Sequence, residues 1–251
     1  MEKERYSENQ LKEREYIKND SDEQSYIFSN YYKAYDKRYK QVYEYEMLWS
    51  SKENSIDVLN TMNKYHISKK SKILDLGCGE GRDAIYLLNK GYNVLALDYS
   101  DTVIKKCNEL SDYLYQENFK QFDLIEDKLD IKFDFIYSIA VLHMFITPFH
   151  RNKYLEFIKE HLKEDGIALI SVLGDGIKNS TSDYTKAFDN VKRVVMNNNK
   201  ELNIVTTSCK IVDWKTLENE ITLNNLKIRE KWISHSIPEF SESMCVVISL
   251  K

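Results

Sequence analysis

From residue 72 onward, short apolar runs alternate with longer segments whose apolar positions recur at helical spacing. The runs Ile73–Leu76, Asn93–Leu97, Phe119–Leu124, the stretch from Phe133 toward His143, Gly166–Leu173, Leu226–Ser234 and Met244–Leu250 predict seven strands. The intervening segments Arg82–Lys90, Asp101–Tyr115, Arg151–Lys163 and Asp213–Asn224 predict helices. Gly91 is placed to close the first of these, and Ser100 or Asp101 to cap the start of the second. The first five strands alternate with helices, and the last two read as a hairpin with Pro238 in its turn. Continuous apolar strands of this kind are buried on both faces. The pattern therefore predicts an α/β fold: a seven-stranded, mostly parallel sheet covered by helices on both sides, with an antiparallel strand at its edge.

Two segments stand outside that alternation. Residues 1–53 are rich in charge and tyrosine, and Tyr35, Tyr39 and Tyr43 recur every four residues, so they share one helix face, with Trp49 following. An N-terminal helical lid with an aromatic inner face is expected there, ahead of a main domain over 54–251. Inside that domain, about 174–212 is too long for a simple connection, and it follows the fifth strand at the carboxyl edge where open α/β sheets bind ligands. This insert is expected to form the wall of a pocket facing the lid.

Composition narrows the classes. The chain of 251 residues suits one α/β domain with an appended segment, and its 42% hydrophobic and 30% charged residues are those of an ordinary folded protein. A net charge of −4 provides no overall basic field for nucleic acid phosphates. The charged start and the absence of a membrane-length apolar run lead to the expectation of a soluble, cytoplasmic protein with no membrane partner. Cys78, Cys107, Cys209 and Cys245 form no C-x-x-C pair, so neither a disulfide framework nor a metal site is expected.

Candidate chemistry lies in the glycines. There are only seven, and Gly77, Gly79 and Gly81 fall within five residues. They lie between a strand and a helix, in Asp75-Leu-Gly-Cys-Gly-Glu-Gly-Arg82, and the next strand runs into Asp98. A glycine turn that brings bare backbone and a helix N-terminus to a ligand, followed by an acid for ribose hydroxyls, is a nucleoside-binding unit. A dinucleotide site needs its third glycine at position 82, where this chain has arginine. The acid-x-G-x-G-x-G motif instead resembles the S-adenosylmethionine (SAM) site of class I methyltransferases, of an uncharacterised bacterial, small-molecule type. The resemblance covers about 54–251 and implies a Rossmann-like fold.

Carried over position by position, the resemblance implies that the backbone of Gly77, Cys78 and Gly79 lies against SAM. It implies that Asp75 orients the methionyl ammonium directly or through water, or else stabilises the loop. Asp98 would accept the ribose hydroxyls, Tyr99 would pack on the adenine, and Asp123 and the Leu124 amide would meet its edge. Ser138 would face the methionyl group. Arg82 has two readings, a carboxylate partner in the site or a pair with a neighbouring acid.

Methyl transfer from a sulfonium is an in-line displacement that needs alignment more than acid–base help. His143, beyond Ser138, is the candidate general base where the acceptor must lose a proton. Tyr35, Tyr39 and Trp49 are the candidate acceptor-binding residues, and two inserts roofing the site favour a small molecule or short peptide acceptor. A nucleic acid methyltransferase and a SAM-binding protein without turnover are the rivals.

Overall fold

The computed structural model describes residues 31–49, 53–183, 192–197, 200–237 and 240–251. Parts of the expected lid (1–30, 50–52) and of the expected insert (184–191, 198–199), together with Pro238, lie outside the described residues.

The central sheet has seven strands: β1 (Lys72–Leu76), β2 (Asn93–Asp98), β3 (Phe119–Gln121), β4 (Phe133–Ile139), β5 (Leu162–Leu173), β10 (Leu226–Ser234) and β11 (Ser243–Leu250). Their spatial order is β10-β11-β5-β4-β1-β2-β3. The pairs β1–β2, β1–β4, β2–β3 and β4–β5 are parallel, whereas β11 runs antiparallel to both β5 and β10. The last strand is thus the antiparallel one, as expected, but it lies inside the sheet. The edge belongs to β10. The composition of the two strands explains the order: β11 (SMCVVISL) is buried almost throughout, whereas β10 (LKIREKWIS) alternates with charges that suit an edge.

Side chains of each central strand divide between two cores. Leu74, Leu76 and Ile136 join one cluster, while Ile73, Phe135 and Tyr137 join the other. This alternation leaves each strand apolar on both faces, and the helices cover them. The helices are α1 (Ala34–Glu44), α2 (Ile56–Lys64), α3 (Arg82–Asn89), α4 (Asp101–Leu110), α5 (Pro148–His161) and α6 (Trp214–Leu223). Three of them start on side-chain caps: Ser100 Oγ accepts from the Val103 amide, Thr147 Oγ1 from His150 and Asp213 Oδ1 from Thr216. Helix α4 stops at Leu110 rather than Tyr115, because Asp112 and Tyr113 adopt positive φ.

Two small antiparallel pairs follow β5, namely β6 (Ser180–Thr181) with β9 (Lys210–Ile211), and the hairpin of β7 (Lys192–Asn197) and β8 (Lys200–Val205). Ile204 of β8 packs on Val42 of α1. The long segment after β5 therefore supports α1 from outside.

Candidate active site

Strand order reverses between β1 and β4, and β1 there leads to β2 on one side and β4 to β5 on the other. The crevice at the carboxyl ends of such strands is where open α/β sheets take ligands. Here it holds a cavity of about 210 Å3, walled by the loops after β1 to β4, by α1 and by the β10–β11 connection.

The floor is the glycine loop. The amides of Gly77 and Cys78 donate to the Leu97 carbonyl at 2.8 and 2.9 Å, pinning the loop to the end of β2. Gly77 (φ +79°) and Gly79 (φ +51°) sit in the left-handed region that side chains disfavour. A Cβ on Gly77 would meet Val141 Cγ2 at 2.4 Å, and one on Gly79 would come within 3.3 Å of the Tyr39 hydroxyl. The bare backbone is therefore matched to close neighbours from the turn after β4 and from α1.

Carboxylates surround this floor. Asp98 accepts from the Gly79 amide at 3.0 Å and the Ser100 amide at 2.9 Å, yet burial still pushes its pKa up to about 6. Asp75 is 4% exposed, and burial, reinforced by the nearby Asp83, raises its carboxyl well above the usual range. Asp123 accepts from Tyr32 Oη at 2.7 Å and from the Ile125 amide at 3.0 Å, and Lys33 lies 4.0 Å away. Tyr99 and Leu124 complete this side of the cavity.

Helix α1 forms the roof, and its anchors are polar. Asp36 accepts from Ser100 Oγ at 2.5 Å, Tyr35 Oη donates to the Ser208 carbonyl at 2.8 Å, and Gln41 accepts from the Val205 amide at 2.7 Å. Beyond the helix, the Trp49 amide donates to buried Glu80 of the glycine loop at 2.7 Å. Tyr35, Tyr39 and Trp49 all line the cavity, whereas Tyr43 packs outward against the Val42–Ile204 cluster. Between Tyr35 and Trp49 sits Arg38, 9% exposed, with its guanidinium carbon 5.2 and 5.1 Å from the two ring centres.

Three expectations fail here. Ser138 does not reach the cavity: its hydroxyl is fully buried and donates to the Leu76 carbonyl at 2.7 Å, so Ile139, Ala140 and Val141 make the wall at the end of β4. Ala140 holds φ at +60°, an energetically costly turn that sets Val141 against Gly77. His143 lines the cavity, but burial and the charges of Arg151 and Arg38 push its pKa down to about 3. A neutral imidazole of that kind is a weak general base at neutral pH. Finally, no described residue of the 174–212 insert lines the cavity; Ile237 and Phe240 of the β10–β11 connection close that side. Among the residues that sequence reasoning missed, Arg38 had a signal, since it shares the helical stripe of Tyr35, Tyr39 and Val42. Ile237 and Phe240 had none, being brought in only by the return of β11 to the sheet interior.

These residues fit SAM. A cationic sulfonium and ammonium suit the buried carboxylates, and a nucleoside suits the Asp98–Asp123 side with its apolar neighbours Tyr99 and Leu124. The fold and the site together define a class I SAM-dependent methyltransferase. More narrowly, residues 36–189 match the family model described as tellurite resistance protein TehB, and the chain belongs to that family. The match begins within α1, so the roof is part of the family pattern from that point. A probable SAM-dependent methyltransferase TehB of Haemophilus influenzae is 33% identical over 103 residues, 39% of this chain and 35% of that protein. This chain thus spans about a third of that relative's length. A ubiquinone biosynthesis O-methyltransferase of Rickettsia typhi is 25% identical over 215 residues, 70% of this chain and 85% of the relative. Among solved structures, a SAM-dependent methyltransferase from Clostridium acetobutylicum superposes with a TM-score of 0.60 at 17% identity, covering 91% of this chain and 98% of the other, and shows the shared fold.

Proposed function

We propose that this chain transfers the SAM methyl group to a compact acceptor, a small molecule or short peptide, held under α1. The observation that carries the reading is a single cavity joining the glycine loop and its acids to an aromatic roof, with only about 210 Å3 of space. Bound SAM supplies an electrophilic methyl on a good leaving group, so the protein's work is binding, alignment and exclusion of water.

In this reading the backbone of Gly77, Cys78 and Gly79 carries the methionyl and ribose portions, and Asp75 answers the ammonium. Asp98 accepts the ribose hydroxyls, and Tyr99, Leu124 and the Tyr32-held Asp123 frame the adenine. Tyr35, Tyr39 and Trp49 pack against the acceptor and keep water out. His143 stays neutral and serves as a hydrogen-bonding wall: its Nδ1 is buried without a partner among the described residues, while Phe240 meets its ring edge-on at 5.5 Å. An acceptor that needs prior deprotonation must then lose its proton to a group other than His143, or arrive ionised.

Calorimetric titration with S-adenosylhomocysteine (SAH) tests the cofactor assignment. Binding by the wild type and a loss of at least about tenfold in Asp98→Ala are expected, since two hydrogen bonds to a charged group are removed. An unchanged dissociation constant in that variant would remove Asp98 from the site, and absence of SAH binding would leave a methyltransferase fold without its chemistry.

A further inference from the structure

Of the three roof tyrosines that line the cavity, two have hydroxyls already committed. Tyr32 donates to Asp123 at 2.7 Å and Tyr35 to the Ser208 carbonyl at 2.8 Å. The Tyr39 hydroxyl has no hydrogen-bond partner among the described residues, and its ring is held by that of Tyr43, 6.0 Å away between centres. It lies over the glycine loop, 3.3 Å from the point that a Cβ on Gly79 would occupy. Burial first, then the negative charges of Asp98 and Glu80, raise its pKa well above the ordinary phenol value, so it keeps its proton and acts as a donor.

Asp98 poses the complementary problem. One of its oxygens accepts from the Gly79 amide and the other from the Ser100 amide, which leaves each a lone pair for a ribose hydroxyl. A hydroxyl that donates to a carboxylate still has lone pairs of its own, and leaving a buried polar group unpaired is costly. The donors beside Asp98 are spent: both amides go to Asp98 itself, and Ser100 Oγ goes to Asp36 at 2.5 Å. Tyr39 Oη is a donor that nothing in the described protein uses.

We infer that the Tyr39 hydroxyl donates to a ribose hydroxyl of bound SAM that itself donates to Asp98, so that the roof closes the nucleoside site from above. The inference rests on the methyltransferase reading and deepens it: Tyr39 gives its ring to the acceptor space and its hydroxyl to the cofactor. The ribose is then read from both sides, by an acid on the floor and a donor on the roof.

SAH is titrated into the wild type and Tyr39→Phe, which keeps the ring. A loss of about threefold or more is expected in the variant, the size of one neutral hydrogen bond; a smaller change would overturn the inference. Ligand-free melting temperatures should agree, because the hydroxyl has no protein partner to lose, and a fall of several degrees would make it a structural group and overturn the inference as well. Displacement of SAH by its 2′-deoxy and 3′-deoxy analogues, at concentrations high enough to read weak binding, completes a double-mutant cycle. One of the two should bind wild type and Tyr39→Phe within about twofold, since the hydroxyl that Tyr39 contacts is gone. If Tyr39→Phe weakens both analogues as much as it weakens SAH, the phenol serves another part of the cofactor and the inference fails, with the cofactor site intact. Failure of SAH to bind the wild type would instead overturn the underlying methyltransferase reading.

Discussion

At the scale of single residues, the site is built from groups held in states that they would not choose in water. Asp98 is the clearest case. Two backbone amides stabilise its charged form, but burial outweighs them and its pKa rises to about 6. The native state therefore binds a proton more tightly than the unfolded chain, so this group's contribution to stability falls as pH rises from about 4 to about 6 and is flat above that. Replacing it by Asn removes the titration, so the stability difference between Asp98→Asn and the wild type should move in the variant's favour over that window. Thermal melts of the ligand-free proteins at several pH values would show it, and a difference independent of pH would contradict the assignment. SAH affinity should run the other way in the wild type, weakening below about pH 6 as the acceptor of ribose hydroxyls becomes protonated, with a flatter profile in Asp98→Asn. Gly77 makes a steric version of the same point. Its φ of +79° and the 2.4 Å approach of Val141 to an added Cβ mean that Gly77→Ala should cost about 1–2 kcal/mol of stability. Its SAH affinity should fall tenfold or more, whereas near-wild-type melting and binding would show that the loop has another low-energy shape.

At the scale of elements, the wall after β4 is positioned from behind by one buried ion pair. Arg151 of α5, fully buried, donates to Glu220 of α6 at 2.7 and 2.6 Å, and to the Leu142 and Phe145 carbonyls at 2.9 and 3.1 Å. It thereby fixes the turn that carries His143 and ties it to two helices. Removing one partner of such a pair leaves an uncompensated charge, so Arg151→Ala should cost about 3–5 kcal/mol, readable from urea midpoints at constant slope. A loss below about 1 kcal/mol would mean that the turn is held by its own packing. This pair also marks what the sequence does and does not disclose. The glycine loop, Asp75, Asp98 and the strand–helix alternation were legible because their signals are local: a motif, a period, an acid at a strand end. Asp123 and Tyr99 were named only because the resemblance to class I methyltransferases implies them, and the structure places both on the cavity wall. The Arg151–Glu220 pair, and Ile237 and Phe240 on the cavity wall, depend on where distant segments return, which no local pattern encodes. Ser138 failed for a related reason, since strand alternation decides which side it faces, and there it meets the Leu76 carbonyl.

At the scale of the whole molecule, the cofactor site and the roof share their contacts. The Ser100 hydroxyl that caps α4 also donates to Asp36 of α1, and Ser100's amide donates to Asp98. Tyr32 just ahead of α1 holds Asp123, Trp49 beyond it holds Glu80, and Tyr39 covers Gly79. Asp123, Gly79 and Asp98, three of the positions proposed to hold SAM, are thus tied to the roof through Tyr32, Tyr39 and Ser100. A ligand that fills the floor stabilises the arrangement in which these contacts are made, by RT ln(1 + [L]/Kd). Local opening of α1 should therefore become rarer when SAH binds, even though most of α1 lies outside the cofactor's reach. Amide hydrogen exchange of Ala34–Glu44 is expected to slow about tenfold or more at saturating SAH, together with that of the Gly77–Gly81 loop. In Tyr32→Phe, which keeps the ring but loses the bond to Asp123, the loop should still be protected while protection of α1 declines. Equal protection of α1 in both proteins would show that the roof is held by packing alone, and no change in α1 on SAH binding would show that roof and floor are independent. A coupled roof has a consequence for turnover: the acceptor space takes its final shape only after the cofactor is in place, so binding should be ordered, with the acceptor second.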